Sequence, residues 1–124
     1  MPQRYLTIEA AFSEGKFYDW RVVCAIQLLQ TRPTITTGEI AGTVRLSATQ
    51  IRYLFKKQVG ITISTYAAEV RLDCARELLE TTPLSIKEIR SHAGIPDGSN
   101  FVRLFRRYFG MPPSVYRLQR RRFD

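Results

Sequence analysis

Two matching stretches hold most of the side chains with usable chemistry: "SATQIRYLFKKQVG" from Ser47 and "DGSNFVRLFRRYFG" from Asp97. In each, apolar residues recur at i, i+3 and i+4: Ile51, Leu54 and Phe55, then Phe101, Leu104 and Phe105, with Tyr108 or Phe109 next along. That is one face of a helix. The opposite face of the first carries Thr49, Arg52, Tyr53 and Lys56, flanked by Gln50 and Lys57. The second carries Ser99, Val102, Arg103 and Arg106, flanked by Asn100 and Arg107. Arginine pairs in bidentate fashion with guanine, and glutamine or asparagine with adenine, in the major groove of DNA. Lysine and arginine late in the helix suit phosphates at the groove wall. A plain solvated helix face would also be polar and cationic. Two such faces at the same phase favour a duplex.

The composition agrees. Lys and Arg number 19 against 11 Asp and Glu, a net charge of +8, which is the footprint of a polyanion binder. No Gly-rich phosphate loop is present, and His92 has neither nucleophile nor carboxylate at a catalytic spacing, so no enzyme is expected. Cys24 and Cys74 lack metal-ligand spacing and sit on apolar stripes, as small buried hydrophobes do. No metal and no cofactor are expected. The start, "MPQRYLTIEAAFSEG", lacks the apolar core of a signal peptide, and no apolar run approaches the ~20 residues of a membrane span. A reducing cytoplasm suits the free cysteines.

The elements that must hold these faces are themselves written twice. "CAIQLLQTRP" from Cys24 matches "CARELLETTP" from Cys74, and "ITTGEIA" from Ile35 matches "LSIKEIR" from Leu84. A repeat of this period means that one supersecondary unit is used twice. Each copy reads as three helices. Val22, Ala25, Ile26, Leu28 and Leu29 recur at helical spacing up to the break at Pro33. Thr36 and Glu39, then Ser85 and Glu88, form capping boxes, with Ile35 and Ile40, then Leu84 and Ile89, as hydrophobic staples. They open short helices over about Thr37–Val44 and Ile86–Ala93. After a tight connection, Ser47 and Asp97 are N-caps of third helices of about eleven residues. Short helix, tight turn and second helix make a helix-turn-helix.

Between the copies, Ile63, Tyr66, Ala67, Val70, Cys74, Ala75, Leu78 and Leu79 form one stripe without Gly or Pro. This predicts a shared linker helix of about nineteen residues, about 28 Å long. The expected fold is therefore all-α: two helix-turn-helix units joined by a long linker helix. The expected segments are an N-terminal extension (1–19), the first unit (20–66), the linker helix (63–81), the second unit (82–118) and a basic C-terminal tail (119–124). Arg120, Arg121 and Arg122 of that tail join Ser47, Lys56, Lys57, Arg106 and Arg107 as expected phosphate contacts.

The stretches "EIA", "LSATQIRYLFKKQVGITISTYAAEVRLDCARELLETTPLSIKEI" and "AGIPDGSNFVRLFRRYFGMPPSVYR" resemble the DNA-binding domain of the AraC/XylS family of bacterial transcription regulators. The resemblance covers about Trp20 to Arg117. It implies seven helices and a monomer that places two recognition helices in adjacent major-groove segments. It implies base contacts by Thr49, Arg52 and Tyr53 in the first unit and by Gly98, Ser99 and Arg103 in the second. Gln50 and Asn100 complete the expected base-reading set. The short N-terminal flank is similar to the small stand-alone members, MarA being the familiar type, which activate promoters by contacting RNA polymerase. The excised C-terminal domain of a longer regulator fits the same residues. Two other readings are a regulator that works mainly by binding RNA polymerase or another regulator, with DNA secondary, and the DNA-targeting domain of a repair enzyme.

The second unit departs from the family pattern. A small residue usual on its first helix, kept as Ala41 in the first unit, is Arg90; the usual "GF" is Gly94-Ile95; and Gly98 stands in the first turn of the recognition helix, where glycine costs about 1 kcal/mol against alanine in a helix interior. The expectation is a second recognition helix pushed out of line by Arg90, reading few bases, while the first unit reads sharply.

Overall fold

The computed structural model describes residues 17–123. Of the expected N-terminal extension only Phe17, Tyr18 and Asp19 fall within that range, and Asp124 of the tail lies outside it. The described residues form seven helices and no strand: α1 (Trp20–Thr31), α2 (Thr37–Thr43), α3 (Ala48–Val59), α4 (Ile63–Thr81), α5 (Ile86–Ala93), α6 (Gly98–Phe109) and α7 (Pro113–Arg120). The linker helix α4 has 19 residues. The chain divides into two compact units between Val70 and Arg71, inside α4. α7 takes in the first residues of the expected tail. Pro113 starts it, since a proline at the first helical position loses no hydrogen bond and has its φ already set.

Local hydrogen bonds start the helices where the side chains dictate. Both expected capping boxes form: the Glu39 N–H donates to Thr36 Oγ1 at 3.1 Å and the Glu88 N–H to Ser85 Oγ at 3.1 Å, each returned by the glutamate. A third box opens α3, from Ser47 and Gln50. Asp97 caps α6 by accepting from the N–H groups of Ser99 and Asn100. Asp19 caps α1 and also holds Arg21 through two side-chain bonds of 2.9 and 2.8 Å. Those bonds pull its carboxyl down to about 2.

The connections between the short and third helices share one backbone device. The Leu46 N–H reaches back to the Ala41 carbonyl at 2.9 Å, and the Ile95 N–H to the Arg90 carbonyl at 2.9 Å. This is the six-to-one closure of a Schellman turn, with an apolar residue just beyond it packing on the core. The turn needs a left-handed residue. The second unit supplies Gly94 at φ 76°, while the first uses Arg45 at φ 60°, a conformation L side chains rarely adopt.

Each unit has its own core. The first gathers Val22, Ile26, Leu29, Ile40, Ile51 and Phe55 around Ile63, Tyr66 and Val70 of α4. The second gathers Ile89, Ala93, Phe101, Phe105 and Tyr116 around Leu72, Ala75 and Leu79. The same aromatic contact recurs: Phe55 meets Tyr66 edge-on at 5.4 Å between ring centres, and Phe105 meets Tyr116 edge-on at 5.4 Å. Leu54, Leu104, Cys24, Cys74 and Leu78, expected in the core, are half-buried at its edges.

Candidate nucleic-acid interface

On α3, burial of Ile51 and Phe55 turns the opposite face outward. Thr49, Gln50, Arg52, Tyr53, Lys56 and Lys57 are all exposed, Tyr53 at 68%. A large aromatic ring left so open lacks a core partner, but it is not idle: the Lys57 ammonium sits 5.8 Å from its centre, within cation–π range. Arg52, Tyr53, Lys56 and Lys57 line a groove of about 650 Å³ with Thr62, Ile63 and Ser64. The last three are the start of α4, where Thr62 Oγ1 accepts from the Thr65 N–H. The groove thus joins three cations to the positive end of a helix dipole. Two residues of this set have local duties. Gln50 Oε1 accepts from the Ser47 N–H at 2.8 Å, and Ser47 Oγ accepts from the Gln50 N–H at 3.1 Å. Both keep donor hydrogens for another partner, the amide –NH₂ of Gln50 and the hydroxyl of Ser47.

On α6, Ser99, Arg103, Arg106 and Arg107 are exposed and Asn100 is half-buried. Asn100 Oδ1 accepts from Arg103 Nη2 at 2.5 Å, so the amide steers the guanidinium. Val102 is 41% exposed at the position that holds Arg52 in the first unit. An apolar side chain there suits the thymine methyl. The matching phase on the outward face could have placed it in the base-reading set.

Arg90 does not follow the expectation of a displaced helix. α6 keeps its full 12 residues, with Phe101 and Phe105 buried as Ile51 and Phe55 are in α3. The Arg90 side chain runs round the turn instead, and Nη1 donates to the Pro96 carbonyl at 2.9 Å. Its guanidinium lies against Gly98, where an added Cβ would meet it at 3.2 Å. Gly98 is the first residue of α6, behind the Asp97 cap, so the helix-interior penalty does not apply in full.

Two arginines of the tail also have partners within the protein. Arg122 Nη2 lies 3.2 Å from Glu80 Oε1, and the Arg120 guanidinium lies 5.8 Å from the Tyr116 ring centre. Glu80 is only 12% exposed and also pairs with Arg76 and the Tyr116 hydroxyl. A largely buried carboxylate draws such partners. Burial pushes the Tyr116 hydroxyl pKa up, and the bond to Glu80 acts in the same direction. His92 is exposed near the end of α5. Among the described residues no cluster of three or more His, Cys, Asp or Glu could hold a metal ion, and no helix is long and apolar enough to cross a membrane.

Two short-helix, turn and long-helix units, each with a basic outward face, define a helix-turn-helix DNA-binding protein. The helix-turn-helix domain family matches residues 40–119. The transcriptional activator NphR of a Rhodococcus species is 38% identical over 88 residues, covering 71% of this chain and 26% of NphR. The transcriptional regulator ArgR of Pseudomonas aeruginosa is 38% identical over 87 residues, covering 70% of this chain and 26% of ArgR. Among solved structures, an AraC-type transcriptional regulator from Chromobacterium violaceum is 32% identical with a TM-score of 0.72, covering 89% of this chain and 96% of that one. This chain spans about a quarter of the length of those two curated relatives. The chain belongs to the AraC family of helix-turn-helix transcription regulators.

Proposed function

We propose that this chain is a sequence-specific double-stranded DNA-binding regulator that activates transcription, each unit laying its recognition helix, α3 or α6, in one of two adjacent major-groove segments. The observation that carries this reading is the match between the two outward faces: Thr49, Arg52 and Tyr53 stand exposed on α3 where Ser99, Val102 and Arg103 stand on α6. Thr49, Gln50, Arg52 and Tyr53 take base edges in one half-site. Gly98, Ser99, Asn100 and Arg103 form the base-reading surface of the other. Ser47, Lys56, Lys57, Arg106 and Arg107 hold phosphates. The working segments are the two units, 20–66 and 82–118, with the linker 63–81 shared. The protein acts as a monomer on DNA in the bacterial cytoplasm, needs no cofactor, and contacts RNA polymerase.

Selection of bound sequences from a random duplex library tests this reading. An enriched motif with two parts, one for each recognition helix, is expected. Recovery of no motif would overturn base reading and leave only charge-driven attachment.

A further inference from the structure

Arg90 belongs to α5, off the recognition helix, yet its guanidinium rests at the start of α6 beside Gly98. Gly98 offers no side chain to a duplex. The 3.2 and 3.3 Å separations between its would-be Cβ and the Arg90 Cζ and Nη1 put the guanidinium in the space that a side chain at 98 would use. One donor is spent on the Pro96 carbonyl at 2.9 Å. A guanidinium has five N–H donors. Arg90 makes no ion pair among the described residues, and it is only half-buried. The Pro96 bond fixes where the fork sits, leaving most of its donors without an acceptor among the described residues.

We propose that Arg90 contacts DNA in place of the side chain Gly98 lacks, donating to an acceptor on the duplex beside the start of α6. This rests on the DNA-binding reading above. The same donor edge fits a phosphate oxygen or the O6/N7 edge of guanine, and the two are separable by experiment. A residue acting only as a clasp on the turn would affect folding and leave DNA affinity of the folded protein unchanged.

The test compares wild type, Arg90→Met and the double variant Arg90→Ala/Gly98→Ala on the selected duplex, on single-base variants of it and on random duplex, across a salt series. Methionine keeps much of the apolar stem and removes every donor. The double variant lets an alanine Cβ fill the vacated space, so that a folded protein without the guanidinium is available if Arg90→Met fails to fold. Thermal unfolding checks both. Loss on the order of tenfold on all duplexes, with the salt slope reduced by about one, identifies a phosphate. A similar loss confined to duplexes with guanine at one position identifies a base edge. Folded variants with wild-type affinity, slope and motif would overturn the proposal. Arg52→Ala is the parallel control. If it relaxes the motif while the Arg90 variants change nothing, only the role of Arg90 falls. If wild type itself shows no motif, base reading falls with it.

Discussion

The Tyr116 hydroxyl donates to Glu80 Oε2 at 2.8 Å, joining α7 to the end of α4. The corresponding pair in the first unit is Tyr66 with Gln30, at 3.3 Å. The second unit has replaced a neutral amide with a carboxylate and surrounded it with Arg76 and Arg122. Glu80→Gln therefore restores the first unit's chemistry but leaves Arg76 and Arg122 without that charge. Breaking one partner of a mostly buried network is expected to cost about 1–3 kcal/mol. Urea denaturation measures it; a change within ~0.5 kcal/mol, typical of an exposed pair, would mean the network contributes little.

Acid should weaken the start of α1. The folded Asp19 carboxyl titrates at about 2 against an ordinary 3.8, because the Arg21 side chain and N–H bind its charged form. A lowered folded value contributes stability that is complete above the unfolded value and fades as pH falls through the folded one. Asp19→Ala should cost about 1 kcal/mol at pH 7, as loss of an N-cap does, with the difference from wild type shrinking between about pH 4 and pH 2. Denaturation at several pH values checks this; a gap that stayed constant to pH 2 would contradict it.

The two turns predict changes of opposite sign. Arg45 occupies a left-handed conformation that its counterpart Gly94 adopts freely. Arg45→Gly should stabilise the first unit by about 0.5–1 kcal/mol, and Gly94→Ala should destabilise the second by about as much. Thermal melts of both variants decide it. No stabilisation from Arg45→Gly would show that the Arg45 side chain offsets its backbone strain.

Arg52→Ala should cost about 1–3 kcal/mol on the preferred duplex and relax preference at one or two base pairs, whereas Lys57→Ala should weaken all sequences alike. With ~6 phosphate contacts, wild-type affinity should fall on the order of a thousandfold between 50 and 200 mM salt. Fluorescence anisotropy on matched and mismatched duplexes checks both. If Lys57→Ala changed the base preference and Arg52→Ala did not, the assigned phase of α3 would be wrong.

Elements specified by neighbouring residues were legible in the chain. The Thr36–Glu39 and Ser85–Glu88 boxes span one helical turn each, and the apolar stripe over Ile63–Leu79 marks α4 without reference to anything distant. Arg90 was not legible. Its departure from the family pattern implies a displaced helix, whereas its length lets the charge pass round the turn to Pro96. The basic neighbours of Arg122 suggest a phosphate contact and say nothing of its pairing with Glu80, which is far away in sequence. Helix propensity at Gly98 carries no information about an arginine resting against it.

α4 is a single unbroken helix that serves two cores, Ile63, Tyr66 and Val70 packing in one and Leu72, Ala75 and Leu79 in the other. Isolated helices shorter than about 12–15 residues are marginal in water, so each half of α4 holds its shape only while the core it serves is intact. Amide protons along this one helix should therefore exchange with solvent in two groups, each following the opening of its own unit. The change of group belongs near Val70 and Arg71, where no break in the helix marks it.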